Sequence, residues 1–422
     1  MTSTKINQKI NQRLLRLQQQ TKERMMAECE DQLSDIRHRT DYTPELAPFL
    51  DSLRLSMFPA EFIKKTDKTT IMTLCIQAPM ELFHAAGVQV FKLACGSYAA
   101  QNLAPLQYPA LTCPMIKSLA GILQPDGELD VKQQKIVIPT TCDWVVKFSE
   151  LTGLYDTSDI HFMELPHLRE NERSSRRWLE EIQEFKHWLE KITGKRISPK
   201  ALYQSIQHYL KAWELFCRLI DLRRAQKLPA IHFAVIANAL PYLDINEWIT
   251  HTAAYISGLE VAEKQHAPIL LTGSPIVFPN YKLLNLIENA GMSVAADDIC
   301  SLERVFPGAV TFEDRSEYAL LRALSERNHK ACICPTFADN HRRINAIFNI
   351  LEQEKIKGII FHVLKGCHPY DMESGMLEPL LKEKGFRFLK IETDYVKEDE
   401  QNIVTRLEAF RRTLNHQTIH QE

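Results

Sequence analysis

Ten cysteines are the residues through which this 422-residue chain could do chemistry. They are Cys29, Cys75, Cys95, Cys113, Cys142, Cys217, Cys300, Cys332, Cys334 and Cys367. In a long chain without a secretory signal, cysteines serve metal binding, catalysis or packing more often than disulfide bonds. Each position must therefore be judged against the alternative that it is a small hydrophobic core residue.

The spacing of the cysteines excludes two common uses. A structural zinc site or a disulfide-exchange site would favour a CxxC pair, and the closest pair in this sequence is Cys332-x-Cys334. Single, dispersed thiolates are instead typical of an iron–sulfur cluster held between domains, because soft thiolate ligands select iron–sulfur clusters. The cysteine pattern therefore favours such a cluster.

Seven of the cysteines fall where a parallel sheet would present them to a ligand. Ligands of parallel sheets bind beyond the carboxyl ends of the strands. Cys95 follows a predicted strand at 87–94, Cys142 one at 135–139, Cys300 one at 292–296 and Cys367 one at 358–363; Cys332 and Cys334 end a predicted strand at 331–334, and Cys113 precedes a helix. Cys29, Cys75 and Cys217 fit packing better.

The elements that must position these cysteines alternate between buried strands and helices. This alternation predicts an α/β fold with two Rossmann-like, doubly wound parallel sheets, an inserted helical region and an N-terminal helix. We predict an N-terminal helical arm at 1–45, a first α/β domain at 46–167, a helical insertion at 168–228 and a second α/β domain at 229–422.

The N-terminal arm carries one apolar stripe, formed by Ile6, Ile10, Leu14 and Leu17. Such a stripe on a polar helix docks either on this chain or on a second subunit. The alternative is a frayed terminus, and the sequence leaves these interpretations open.

Charge and the search for other motifs exclude several functions. The formal net charge is −2, which argues against a nucleic-acid or anionic-membrane partner. No apolar run approaches the ~18 residues of a membrane span, and the N-terminus has no apolar signal region, so we expect a cytoplasmic protein. GxxxxGK[ST], GxGxxG, HExxH and GxSxG are absent, so the chain is not expected to hydrolyse ATP.

Seven stretches resemble the 2-hydroxyacyl-CoA dehydratase and benzoyl-CoA reductase family. They are ELFHAAG (81–87), LTCPMIKSLAG (111–121), IPTTCDWVVKFSELTG (138–153), AADDICSLER (295–304), CICPTFADNHRRI (332–344), GIIFHVLKGCHPYDME (358–373) and IETDYVKEDEQNIVTRLEAF (391–410). The resemblance implies two Rossmann-like domains with an iron–sulfur cluster between them. It also implies a dimer, here a homodimer, that receives low-potential electrons from a separate ATP-hydrolysing iron–sulfur activator and acts on a small-molecule substrate.

The resemblance also implies a ligand set. The family's three shared cluster ligands map onto Cys113, Cys142 and Cys367. Its double-cubane cluster subgroup carries an [8Fe-9S] cluster on six thiolates, and the surplus of cysteines at strand ends favours this subgroup. The second three are expected to be Cys300, Cys332 and Cys334, with Cys95 as the substitute if the CxC pair supplies one ligand.

Two other functions stay open at this point. One is a subunit of a 2-hydroxyacyl-CoA dehydratase with a single [4Fe-4S] cluster, and the other is a non-catalytic cluster carrier. His368 adjoins Cys367 and could donate a proton, although a surface histidine is the alternative. Asp297, Asp298 and Glu373 could hydrogen-bond near the site or could lie in solvated loops and caps.

Overall fold

Two four-stranded parallel sheets form the framework of the protein. The structure is a computed structural model that describes residues 2–103, 108–123, 134–154, 159–259, 266–330 and 332–415, with side chains from residue 16 to residue 414. The first sheet has the order β2-β1-β3-β4 and the second has the order β6-β5-β7-β8. The strands are β1 (Thr70–Thr73), β2 (Gln89–Lys92), β3 (Lys135–Pro139), β4 (Asp159–Met163), β5 (Ala267–Gly273), β6 (Met292–Asp297), β7 (Gly358–Leu364) and β8 (Arg387–Thr393).

Helices cover both faces of each sheet, as parallel strands require. They are α1 (Thr2–Arg37), α2 (Ala47–Ser56), α3 (Pro59–Lys64), α4 (Met80–Ala85), α5 (Tyr98–Gln101), α6 (Pro114–Ile122), α7 (Asp143–Leu151), α8 (Glu172–Thr193), α9 (Pro199–Arg224), α10 (Ala230–Ala239), α11 (Ile245–Gly258), α12 (Lys282–Asn289), α13 (Glu317–His329), α14 (His341–Gln353), α15 (His368–Glu383) and α16 (Glu400–Asn415). The predicted fold class is therefore confirmed.

Both sheets share one architecture, and this creates two matching crevices. The central strand β1 has β2 on one side and β3 on the other, and β5 lies in the same way between β6 and β7. The chain reverses its winding direction at such a point, and the loops beyond the strands diverge there. One continuous core contains buried residues of both sheets, including Ile136 and Ile360, so the two crevices belong to one packed body.

The strand predicted at 331–334 is wrong. Residues 332–334 lie in an irregular segment, and Ala331 is outside the described residues. The backbone of this segment bonds to side chains instead of a neighbouring strand: the Ile333 carbonyl accepts hydrogen bonds from Arg304 and Arg343. A short apolar run cannot by itself distinguish these two situations.

The second half of α1 docks on its own chain. Cys29, Leu33 and Ile36 are buried, and the Glu28 carboxylate accepts hydrogen bonds from the Ser97 hydroxyl (2.5 Å) and the Ala99 amide (2.9 Å). Of the predicted N-terminal stripe, Leu17 is half exposed, and the side chains of the other three residues lie outside the described set.

The helical hairpin α8–α9 joins the two halves of the chain. Trp178 and Phe185 of α8 pack in the same cluster as Ile71 and Val137 of the first sheet. Leu320 and Leu324 of α13, which follows the second sheet's β6 along the chain, belong to this cluster as well. The chain therefore returns to the first sheet just before it reaches Cys332.

Within the described residues, we find no helix with the length and apolar character needed to cross a membrane.

Buried His362 predicts a pH dependence of stability. Its Nδ1 lies 3.1 Å from the Ser274 carbonyl and its Nε2 lies 2.7 Å from Thr393 Oγ1, so the neutral ring donates to the first and accepts from the second. Burial lowers its pKa to about 4. Because the unfolded histidine titrates near 6.5, the unfolded state binds more protons between these values, and stability falls as pH drops from about 6.5 to about 4.

We expect His362→Gln to flatten this dependence by up to about 3 kcal/mol, the linkage equivalent of its pKa shift. The measurement is the denaturation midpoint of both proteins across this pH range. His187→Gln, a change at an exposed histidine, is the control. Parallel pH profiles for the wild type and His362→Gln would contradict the assignment.

Candidate functional site

A cavity of about 1020 Å³ lies where the carboxyl ends of the two sheets meet. Its walls are the segments that follow β1, β2 and β3 in the first sheet and β5, β6 and β7 in the second. Seven cysteines line it: Cys75, Cys113, Cys142, Cys300, Cys332, Cys334 and Cys367. The fold thus gathers into one space thiols that are almost 300 residues apart in sequence.

Three of these cysteines share one local geometry. Cys113, Cys142 and Cys367 are the N-cap residues of α6, α7 and α15. The first-turn amides of a helix have no partner within the helix, and its N-terminus favours negative charge. We refer to these residues as the capping cysteines.

The sequence fixes these caps locally. Pro114 directly after Cys113 and Pro369 two residues after Cys367 occupy first-turn positions of α6 and α15, where the missing amide hydrogen has no cost. Gly366 has a positive φ of 73°, and a Cβ there would collide with the carbonyl of Leu111. Only glycine therefore allows the loop before Cys367 to approach the loop before Cys113.

The capping cysteines interact with one another. The Cys113 thiol contacts the Cys367 thiol, and this interaction lowers the pKa of Cys113 and raises that of Cys367. The backbone amides of Met115 and Ile116 also lower the pKa of Cys113. Burial raises the pKa of Cys142 to about 11 despite the amides of α7. Cys113 is therefore the thiol of this group most ready to ionise.

The other four thiols form a second group on the opposite wall. The electrostatic neighbours of Cys75 are Cys334, Cys300 and Cys332, and burial is the main cause of its raised pKa. Burial also raises the pKa of Cys332 to about 12, and the Gln77 amide donates a hydrogen bond to its sulfur (2.8 Å). The two groups meet where Cys142 faces Cys334 and where Cys300 faces Cys367.

Two buried arginines hold the cysteine-bearing segments together. Arg343 of α14 binds Asp298, which precedes Cys300, and Glu373 of α15 (2.6 Å). Arg343 and Arg304 both donate to the Ile333 carbonyl (3.1 Å each), which lies between Cys332 and Cys334. These two guanidinium groups therefore connect the segments that carry Cys300, the CxC pair and Cys367.

Asp297, Asp298 and Glu373 are accordingly buried and paired, not solvated. Asp297 binds Arg223 of α9 (2.6 Å) and also accepts hydrogen bonds from the amides of Ile299 and Glu303. These bonds shape the turn that precedes Cys300. Their role is to position the loop, because none of the three carboxylates lines the cavity.

His368 lies outside the cavity wall. Its ring is exposed and stacks on Trp144, with 6.3 Å between the ring centroids. The indole nitrogen of Trp144 donates to the Gly366 carbonyl (3.1 Å), so this aromatic pair covers the loop before Cys367. A proton donated by His368 would have to enter from the surface.

Cys95 lies away from the cavity although it follows β2. It is fully buried, with Ser97, Ser118 and Glu28 beside it, and burial raises its pKa to about 11. Its thiol neighbour is Cys29 of α1. The structure therefore brings together six of the seven cysteines predicted for the site, and it adds Cys75 in place of Cys95.

The thiols surround a volume and do not converge on a point. Across the described residues, no three His, Cys, Asp or Glu side chains are arranged to hold a single metal ion. Thiolates spread over opposite walls fit a group that has several metal atoms, each with its own ligand, and soft sulfur donors fit iron–sulfur clusters. The seven cysteines are thus the residues that could hold such a cluster.

A family comparison decides what class of protein carries this cavity. Residues 75–414 match the family model described as 2-hydroxyglutaryl-CoA dehydratase, D-component. The chain belongs to this D-component family. The resemblance found in the sequence motifs is therefore confirmed, and membership makes the chain an enzyme of the dehydratase or reductase type.

Individual D-component relatives are distant but match over most of their length. The putative dehydratase subunit YjiM of Escherichia coli is 25% identical over 88% of this chain and 98% of its own. The (R)-2-hydroxyglutaryl-CoA dehydratase subunit beta of Acidaminococcus fermentans is 24% identical over 83% and 94%. A benzoyl-CoA reductase subunit of Thauera aromatica is 21% identical over 74% and 81%.

The arginine contacts predict a large effect from one substitution. Arg343→Met leaves the buried carboxylates of Asp298 and Glu373 without their cation, and breaking such a pair costs about 3–5 kcal/mol. We expect a strongly lowered thermal unfolding midpoint. Arg322→Met removes an exposed ion pair with Glu326 and should change stability by less than about 1 kcal/mol. Equal shifts for both variants would contradict the positioning role.

Proposed function

We propose that the protein is an iron–sulfur reductase-type enzyme whose thiol-lined cavity holds a double-cubane [8Fe-9S] cluster. In this proposal it receives low-potential electrons from a separate ATP-hydrolysing iron–sulfur activator and reduces a small substrate. The observation that carries the proposal is the division of seven cavity thiols into two adjoining groups. A single cubane of this family needs three thiolates, whereas two joined cubanes need six.

The capping cysteines would hold one half of the cluster. Cys113, Cys142 and Cys367 each present sulfur at a helix N-terminus, where the first-turn amides stabilise the thiolate charge that a metal ligand must carry. Because burial raises the pKa of the other cavity thiols, loading the site would displace their protons. When bound, the cluster would supply electrons at low potential.

Three of the four thiols in the second group would hold the other half. These four are Cys75, Cys300, Cys332 and Cys334. Cys75 replaces Cys95 as a candidate ligand, because Cys95 lies outside the cavity. Gln77 and Thr336 donate hydrogen bonds to the sulfurs of Cys332 (2.8 Å) and Cys334 (3.2 Å), and such bonds to sulfur raise a cluster's reduction potential.

An exposed apolar stripe lies beside the capping cysteines and suits the electron-donating partner. Met372, Met376 and Leu380 recur at every fourth residue of α15 and are 68%, 61% and 40% exposed. Helix α15 begins directly after Cys367, so Met372 lies only about 7.5 Å along the helix axis from that ligand. Neighbouring Trp144 is partly exposed above Cys142 and Cys367. We assign this face to the activator.

The alternative is a subunit of a 2-hydroxyacyl-CoA dehydratase with a single [4Fe-4S] cluster on the capping cysteines. The match to the beta subunit from Acidaminococcus fermentans favours it, since the alignment covers 94% of that protein. In that case the second thiol group would have no ligand role. A non-catalytic cluster carrier would differ from both by turning over no small unsaturated substrate, even with a strong reductant.

Iron content of variants separates these functions. Anaerobically purified protein should contain about eight irons per chain for the double cubane and about four for the dehydratase. Cys113→Ser, Cys142→Ser and Cys367→Ser should each cripple loading, because a hydroxyl is a poor ligand for iron. Cys75→Ser should lower the iron content, whereas Cys95→Ser should retain it.

Three results would count against the double cubane or the family assignment. About four irons per chain, unchanged by Cys75→Ser, would leave only the dehydratase function. Full loading in Cys367→Ser would refute the capping-cysteine site. Tightly bound zinc in place of iron would exclude an iron–sulfur enzyme altogether.

The activator face is tested separately by Met376→Glu. A buried carboxylate at the docked face would be left unpaired, so partner- and ATP-dependent reduction should slow at least tenfold. Iron content and reduction by a strong artificial reductant should not change. Tyr318→Glu, which changes an exposed side chain of α13, is the control. Unchanged partner-dependent rates, a change from dimer to monomer, or ATP binding by this chain alone would contradict the assignment.

A further inference from the structure

A second chamber of about 520 Å³ adjoins the thiol cavity. Cys75, Ile76 and Lys92 line both spaces and therefore form the wall between them. Most of the remaining chamber wall is apolar: Ala78, Met80, Leu240, Pro241, Val305 and Phe306. The chamber is thus a largely apolar space whose inner end carries one amine.

Lys92 has no carboxylate partner in the described part of the chain. The only acidic groups that act on its ammonium are the thiols of Cys300 and Cys75, and burial lowers its pKa. The buried lysines elsewhere are different: Lys186 binds Glu190 (2.8 Å), and Lys282 binds Asp399. A buried cation without a carboxylate is costly unless another acceptor reaches it.

The other charges of the chamber are already satisfied. Both terminal nitrogens of Arg327 donate to the Glu81 carboxylate, with 2.9 Å between Nη2 and Oε2. This bidentate pair is buried in the chamber wall and has no net charge. Among the described wall residues, Lys92 therefore remains as the charged donor available to a ligand.

We propose that Lys92 binds the substrate in this chamber, and that the substrate is a small molecule with an apolar body and an anionic or carbonyl oxygen at one end. The proposal rests on the function proposed above, because it names the substrate class of the same cavity. An amine is a hydrogen-bond donor whether or not it carries the extra proton. The apolar body would fill the chamber while the oxygen lies against Lys92, at the boundary with the thiols.

This arrangement explains the position of the amine at the wall. A charge-assisted hydrogen bond from Nζ would satisfy the ammonium and fix one end of the ligand. The apolar wall adds affinity in proportion to the buried apolar surface. A fully apolar molecule would leave the amine unpaired, and a strongly polar one would leave its own groups unpaired in the chamber.

The test is calorimetric binding of butyrate to anaerobically purified protein, with n-butanol as the neutral comparison. We expect butyrate to bind and Lys92→Met to weaken its binding at least tenfold, which corresponds to about 1.4 kcal/mol. Lys92→Arg keeps a donor and should retain most of the affinity. Lys117→Met, a change at an exposed lysine outside the cavity, is the matched control. Leu240→Trp should block butyrate by filling the chamber.

Three outcomes would overturn the proposal: equal butyrate affinity in the wild type and Lys92→Met, no butyrate binding by the wild type, or tighter binding of butanol than of butyrate. The iron content of each sample separates this failure from failure of the proposed function. Protein without iron that still binds butyrate through Lys92 would refute the cluster and retain the chamber. Iron loss in Lys92→Met, with iron retained in Lys117→Met, would assign Lys92 to the cluster and refute substrate binding.

Discussion

Three helix N-termini converge on three sulfur atoms, and the remainder of the site depends on this arrangement. The caps of α6, α7 and α15 bring Cys113, Cys142 and Cys367 to one wall of the cavity. Orphan first-turn amides make such a wall favourable for negative charge before any ligand binds. The two sheets are needed because α6 and α7 follow the first sheet's strands, whereas α15 follows β7 of the second.

Convergence of this kind requires that two sheets be held in fixed positions. The shared hydrophobic core supplies most of this rigidity, and the buried ion pairs supply its direction. Arg343 reaches Asp298 and Glu373, which are 45 and 30 residues away in sequence. Such pairs contribute little net stability, since desolvation offsets their attraction. They do fix which loop lies beside which, and the cavity depends on this.

The sequence predicted the elements with the strongest local signals. The run KIVIP and the capped helix after it appear as β3 and α7 with the predicted bounds. The edge strand β4 was missed because its residues are mostly half exposed and so lack a clear apolar run. The strand at 331–334 was wrong because long-range arginine contacts, which local periodicity does not report, hold that segment.

The site was predictable where a cysteine follows a central strand and much less so elsewhere. Cys75 was assigned to packing because β1 was expected to continue to that residue, yet β1 ends at Thr73 and leaves Cys75 in the cavity loop. Cys95 follows the edge strand β2, whose connecting loop passes beneath α1. Lys92 gave no signal, because nothing local distinguishes a lysine that faces a cavity from one that faces solvent.

The most direct test of the account is the location of iron in anaerobically grown crystals, measured by anomalous diffraction at the iron edge. We expect two adjoining groups of peaks within the cavity. One should contact the sulfurs of Cys113, Cys142 and Cys367, and the other should contact three sulfurs from Cys75, Cys300, Cys332 and Cys334. A single group of peaks on the capping cysteines would contradict the double cubane, and iron bound at Cys95 or absent from the cavity would contradict the site itself.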